Sequence, residues 1–128
     1  LWRHPVGLGW SSFAVLGNHA ITMEQRDELE SVVCYRLETG EPIWIHGDQT
    51  RFTAVAVNGG DGPHGTPVIA GPQTYSLGGT GILNCLDTAT GNRIWSRNIL
   101  ADAGDGMTPA ANLEWGVSGS PCVHADYV

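Results

Sequence analysis

Basic residues are scarce in this chain. Lys and Arg number 6 against 13 Asp and Glu, giving a formal net charge of −7 and a pI near 4.9. Without clustered cations it has no surface for a phosphate backbone, so nucleic acid is excluded as a partner. Long apolar runs are missing too. None approaches the ~18 residues of a membrane-spanning helix. No basic stretch leads into an apolar one, and the chain opens on Leu1, so a leader peptide is expected to be absent from this segment. Cysteine is sparse. Cys34, Cys85 and Cys122 are odd in number and form no Cys-x-x-Cys pair, so the reading is free thiols, not a disulfide framework or a zinc site. Charged residues make up only 15% against 41% hydrophobic, which excludes an intrinsically disordered chain. No sustained apolar stripe of period 3.6 occurs, which argues against helices.

What the chain does have is an internal repeat. Cys34-Tyr-Arg-Leu-Glu-Thr-Gly-Glu-Pro-Ile-Trp44 aligns without a gap on Cys85-Leu-Asp-Thr-Ala-Thr-Gly-Asn-Arg-Ile-Trp95, sharing Cys, Thr, Gly, Ile and Trp. Upstream, Gly65-Thr66-Pro67-Val68-Ile69 recurs as Gly119-Ser120-Pro121-Cys122-Val123, with a looser copy at Trp10–Val15. Leu1-Trp2-Arg3-His4 matches Ile43-Trp44-Ile45-His46 and Ile94-Trp95-Ser96-Arg97. The apolar runs are short, rich in Val, Ile, Trp and Tyr, and punctuated by Gly, Asn, Asp and Pro, which reads as strand. The first unit is predicted to carry strands at 11–16, 20–23, 32–37 and 42–46, the second at 66–70, 74–77, 82–87 and 93–97. Gly17-Asn18, Thr39-Gly40 and Thr90-Gly91 supply tight-turn chemistry. Four antiparallel strands in about 50 residues is the signature of a β-propeller blade; the Trp-Asp pair of the shorter WD repeat is absent, and the Gly-Gly doublet of a kelch repeat is missing from the first unit.

The segment Cys85–Trp95 resembles the tryptophan-docking motif of pyrroloquinoline-quinone (PQQ) propeller repeats, Ala-x-Asp-x-x-Thr-Gly-x-x-x-Trp. Cys85 stands at Ala, with Asp87, Thr90, Gly91 and Trp95 in place. The first unit keeps Thr39, Gly40 and Trp44 but has Cys34 for Ala and Arg36 for Asp. The resemblance implies an all-β fold of partial-propeller blades spanning essentially the whole chain. It makes Trp2, Trp44, Trp95, Cys34, Cys85, Gly40 and Gly91 structural docking residues. The small residue on the third strand is read as leaving room for an indole from a neighbouring blade, each indole bringing roughly 150–250 Å² of apolar area. The organisation expected is a last strand of a preceding blade at 1–8, a blade at 9–46, a second with a long leading loop at 47–97, and a loop with the first strands of another at 98–128. A closed propeller has typically 4–8 blades, so this is about two blades of a larger protein.

In an up-and-down blade the first and third turns lie on one face and the remaining connections on the other. The connections read as long, 24–31, 47–65 and 98–117, all fall on that second face, where a ligand site is expected. It offers Glu24, Gln25, Arg26, Arg51, Asp61, His64, Asp105 and Glu114, with Trp115 as a stacking surface. Glu24, Arg26, Arg51, Glu114 and Trp115 are the candidates for cofactor or ligand contact, and Arg51 is the sharpest, since a guanidinium suits a carboxylate or quinone oxygen. The plain reading of Glu24–Glu30 is a solvated charged loop. Gly60-Asp61-Gly62 and Gly104-Asp105-Gly106 make Asp61 and Asp105 weak Ca²⁺ candidates without the spacing of an established calcium loop. His19, His64 and His124 show no metal-ligand spacing, and no serine sits in a nucleophile elbow.

The resemblance implies two functions. One is an exported or periplasmic quinoprotein similar to PQQ-dependent alcohol dehydrogenases, with PQQ and Ca²⁺ in a central funnel. The vicinal cysteine pair and the catalytic Asp of such enzymes have no match here. The other is a non-catalytic propeller for protein–protein interaction, similar to the propeller lipoprotein of the outer-membrane β-barrel assembly machinery. A third class, a sugar- or polymer-binding module, requires exposed aromatics, for which Trp10 and Trp115 are the candidates. Open strand edges are expected to pair with the remaining blades or with copies of the chain.

Overall fold

The computed structural model describes residues 1–54, 59–103 and 114–128. Its regular structure is almost wholly strand. β1 (Ala14–Leu16), β2 (His19–Arg26), β3 (Leu29–Arg36) and β4 (Pro42–Asp48) form one antiparallel meander in the order β1-β2-β3-β4. β5 (Val68–Ala70), β6 (Gln73–Leu77), β7 (Ile82–Asp87) and β8 (Arg93–Asn98) form a second in the order β5-β6-β7-β8. A single helical turn, α1 (Ile99–Asp102), follows β8 and is capped by the Asn98 side chain, which accepts from the amides of Leu100 and Ala101. The architecture is all-β, two four-stranded propeller blades side by side.

Turn chemistry explains where the strands end. Gly17 and Gly71 take φ of +57° and +59° in the equivalent first hairpins, a region that costs any residue with a Cβ. The first strands are shorter than the apolar pattern predicts, three residues each, because the residues before them bond across blades. The Ser12 amide donates to Thr66 Oγ1 at 3.1 Å, and the Thr66 amide donates to Ser120 Oγ at 2.9 Å. One repeat thus hands the same contact to the next.

The third-to-fourth-strand turns are built differently in the two blades. In the second, Asp87 Oδ1 accepts from both the amide and the hydroxyl of Thr90, each at 2.8 Å. Those bonds hold the Asp87 carboxyl below the usual carboxylate range. Both turns share one backbone bond, Leu37 amide to Asn18 carbonyl and Thr88 amide to Pro72 carbonyl, each at 2.9 Å; in the first, where Arg36 replaces the aspartate, Asn18 Oδ1 adds a bond from the Glu38 amide at 3.1 Å.

One connection differs outright from the sequence reading. The segment Glu24–Ser31 is not a long loop. β2 runs to Arg26, β3 starts at Leu29, and Asp27-Glu28 turns between them with Asp27 at φ +50°. Glu24 and Glu30 are 1% and 3% exposed, so the solvated-loop reading fails. The reason is that each carboxylate finds donors inside the fold, and a buried charge is tolerated only when so paired.

The core lies between the sheets. Ile21, Met23, Val32, Cys34 and Trp44 of the first blade meet Leu86 of the second, with Ile43 and Ile69 at the margin. The opposite face of the first blade is covered by residues from the N-terminal segment: the rings of His4 and Phe13 lie against Tyr35, with centroids 5.1 and 6.4 Å away. All three cysteines are free thiols, Cys34 and Cys85 buried and Cys122 exposed.

Two indoles join successive units in one geometry. Trp2 lies on Gly40 and donates Nε1–H to the Leu37 carbonyl at 2.7 Å. Trp44 lies on Gly91 and donates Nε1–H to the Thr88 carbonyl at 3.0 Å. Both glycines have positive φ, +77° and +72°, and a Cβ on either would enter the ring. Room for the indole therefore comes from the turn glycine. Cys34 and Cys85 pair instead with Trp44 and Trp95 across the strands of their own sheets.

Candidate functional site

The face bearing the two fourth-to-first-strand connections gathers most of the charged candidates. Glu24 sits at the end of β2. Its Oε1 accepts from Tyr35 Oη at 2.5 Å, and its Oε2 from the Gly7 amide at 2.5 Å and from Arg26 Nε at 3.2 Å. Arg26 closes the ring by donating Nη2–H to Tyr35 Oη at 2.9 Å. Burial lowers the Arg26 guanidinium, but its bond to Glu24 outweighs that and raises it on balance. Burial, with the adjacent Glu24 carboxylate, pushes the Tyr35 phenol up to about 12.

Arg51 is half-buried. It donates Nη1–H to the Asp27 carbonyl and Nη2–H to Asp61 Oδ2, both at 2.6 Å. Asp61 Oδ1 accepts the Ala54 amide at 3.2 Å. Gln25, 2% exposed, ties the same corner: its Nε2 donates to the carbonyls of Asp27 and Thr50, and its Oε1 accepts the Phe52 amide. An open groove of about 630 Å³ runs beside these groups, between His4–Leu8 and the side of Gln25, Arg26, Asp27 and Arg51. Both oxygens of Asp61 are thus occupied by protein donors, which does not suit a Ca²⁺ ligand, and Asp105 lies outside the described residues. Among the described residues no three His, Cys, Asp or Glu side chains converge as metal ligands would.

A second polar set lies between the blades and was not visible in the sequence. Glu30 and Asp48 stand opposite one another on β3 and β4. Glu30 Oε1 accepts the Gly79 amide of the second blade at 2.8 Å. Asp48 accepts Asn84 Nδ2 at 2.5 Å, with His46 Nε2 3.5 Å and Arg93 Nη1 3.9 Å away. Burial raises the Glu30 carboxyl above its ordinary range. Burial also pushes the Asp48 carboxyl up, but hydrogen bonding from His46 and Asn84 outweighs it and leaves that group lowered.

Trp10 and Trp115, far apart in sequence, come together. They line one cleft of about 370 Å³ with Gly59 and His64. Glu114, adjacent in sequence, is exposed. Trp95 lies against Tyr75, ring centroids 5.9 Å apart, in a cleft of about 260 Å³ flanked by Tyr127 and Val128.

No protein-family model and no curated protein matches the chain. Among solved structures, the fold is similar to that of BamB from Moraxella catarrhalis, with a TM-score of 0.63 at 19% sequence identity over 88% of this chain. BamB is a β-propeller. The chain spans 30% of that neighbour's length, as two blades of a larger ring would. The likeness establishes the partial-propeller fold. No helix among the described residues is long and apolar enough to cross a membrane.

Proposed function

We propose that these two blades belong to an exported propeller that acts as a non-catalytic scaffold for protein–protein interaction, completed by further blades or by copies of the chain. The observation that carries the reading is the use of charge on the loop face. Glu24, Arg26, Arg51 and Asp61 are spent on bonds within the fold, so they serve rigidity rather than a reacting ligand. Rigid blades with accessible strand edges suit strand addition by a partner. The docking series supports completion by further units: Trp2 and Trp44 each seat on a turn glycine of the next unit, and Trp95 is the third residue of that series. The same charged groups make the quinoprotein reading the weaker of the two. Titration of the chain with PQQ in the presence of Ca²⁺, followed by absorbance and by dye reduction with alcohols, tests the choice. No binding and no dye reduction is the outcome expected. Saturable PQQ binding lost on Arg51→Ala would overturn the scaffold reading.

A further inference from the structure

We propose that the cleft between Trp10 and Trp115 binds a neutral saccharide. The inference stands apart from the scaffold reading, since it uses none of the groups that support it.

Two exposed indoles facing one cleft are costly to keep in water unless something covers them. Trp10 is 67% exposed and Trp115 56%. Trp10 and the backbone beside Trp115 are both held. Trp10 donates Nε1–H to the Gly59 carbonyl at 2.5 Å, and its amide donates to the Pro63 carbonyl at 2.9 Å. Beside Trp115, Gly116 closes on the Phe52 ring, where a Cβ would stand 2.7 Å from Cζ. The next amide, of Val117, donates to the Gly79 carbonyl at 2.9 Å. The floor is fixed as well: His64 stands edge-on to Phe52, with centroids 6.2 Å apart and planes at 80°. One wall and the floor of the cleft are thus fixed before binding, which limits the ordering cost.

Its chemistry selects the ligand. Among the described residues the lining is Trp10, Gly59, His64 and Trp115, with no carboxylate or guanidinium, although the chain carries 13 acidic residues. That complements an uncharged ligand. Indole faces pack against a flat C–H surface. Gly59 and Gly60 leave bare backbone at the edge, and a Cβ at Gly60 would meet nothing within 4 Å. Peptide groups are accessible there to small hydroxyls. His64 Nε2 is buried without a hydrogen-bond partner, so the floor keeps an unused polar atom. A flat apolar face with hydroxyls at its rim describes a pyranose. A proline-rich peptide suits the site less well, because the Trp10 N–H that would bond its carbonyl is already given to Gly59.

The test uses the full chain titrated with cellohexaose, maltohexaose, chitohexaose and, as the competing class, decaproline, read by tryptophan fluorescence and calorimetry. At least one oligosaccharide is expected to bind saturably, with a dissociation constant on the order of 0.1–1 mM. Trp115→Ala, which truncates an exposed ring, should weaken it at least ~10-fold. Trp10→Phe, which keeps a ring, should retain most of the binding, while Trp10→Ala should lose it. Circular dichroism confirms that each variant is folded. The proposal is overturned if none of the three oligosaccharides binds at about 10 mM, if binding survives Trp115→Ala unchanged, or if decaproline alone binds.

Discussion

Gly91→Ala is the substitution that isolates indole docking. Gly91 has φ +72°, and a Cβ there would lie 2.5 Å from Cδ2 and 3.0 Å from Cγ of Trp44. Trp44 is 9% exposed and donates to the Thr88 carbonyl. The positive φ alone costs a non-glycine residue about 1–2 kcal/mol. A buried indole of roughly 150–250 Å², at about 25 cal/mol per Å², represents ~4–6 kcal/mol of burial. Displacing half of it forfeits ~2–3 kcal/mol, and the lost hydrogen bond adds ~1 kcal/mol. The sum is ~4–6 kcal/mol, a large part of the ~5–15 kcal/mol of a typical domain. Gly17→Ala supplies the control: φ is +57°, and its Cβ would meet nothing within 4 Å, so only the ~1–2 kcal/mol backbone cost applies. Urea unfolding followed by tryptophan emission and circular dichroism should therefore place Gly91→Ala ~3–4 kcal/mol below Gly17→Ala, with red-shifted native emission. Equal midpoints for the two variants, within ~0.5 kcal/mol, would refute docking as the joint between blades.

Three further outcomes follow from the buried titratable groups. Tyr35 is held protonated to about pH 12, above the ~10 of an unfolded tyrosine. The unfolded chain then binds fewer protons across that window, so stability present below pH ~10 is lost as pH rises toward 12. Tyr35→Phe should flatten this alkaline loss, and an unchanged pH profile of the melting temperature would count against the Glu24–Tyr35 bond. Glu30, raised by burial, contributes stability below the ordinary glutamate pKa that is lost as pH climbs through its folded value. Glu30→Gln should accordingly melt higher than the parent at pH 7–8 and no higher at pH 4; a lower melting temperature at pH 7 would contradict this. The Cys34 thiol is pushed up to about 11 by burial, and Cys85 is raised by burial as well. Iodoacetamide at pH 8 should label Cys122 alone in the native state, and mass spectrometry showing prompt labelling of Cys34 would contradict the packed core.

Much of the fold is legible in the sequence because turns and strands are local. The Thr-Gly turns, the Gly17 hairpin and the short Val- and Ile-rich runs mark both meanders, and the Cys…Trp repeat marks their equivalence. The Glu24–Ser31 segment is deceptive for a physical reason. Its charge resembles a solvated loop, but the donors that make burial tolerable are the Gly7 and Gly79 amides, which come from distant parts of the chain. The same limit applies to the site. Arg51 is legible as a basic residue on a long connection, but its pairing with Asp61 depends on how that connection folds back. Trp10 and Trp115 can be named as exposed aromatics, whereas their meeting in one cleft with Gly59 and His64 depends on how segments distant in sequence come together.

Two propeller blades on their own leave open flanks for further blades or copies to cover. Sedimentation velocity from about 1 to 100 μM tests this most directly, since open strand edges recruit partners in proportion to concentration. Species heavier than the 13.6 kDa chain should grow with concentration and diminish in Trp95→Ala. A single 13.6 kDa monomer across the whole range would contradict it.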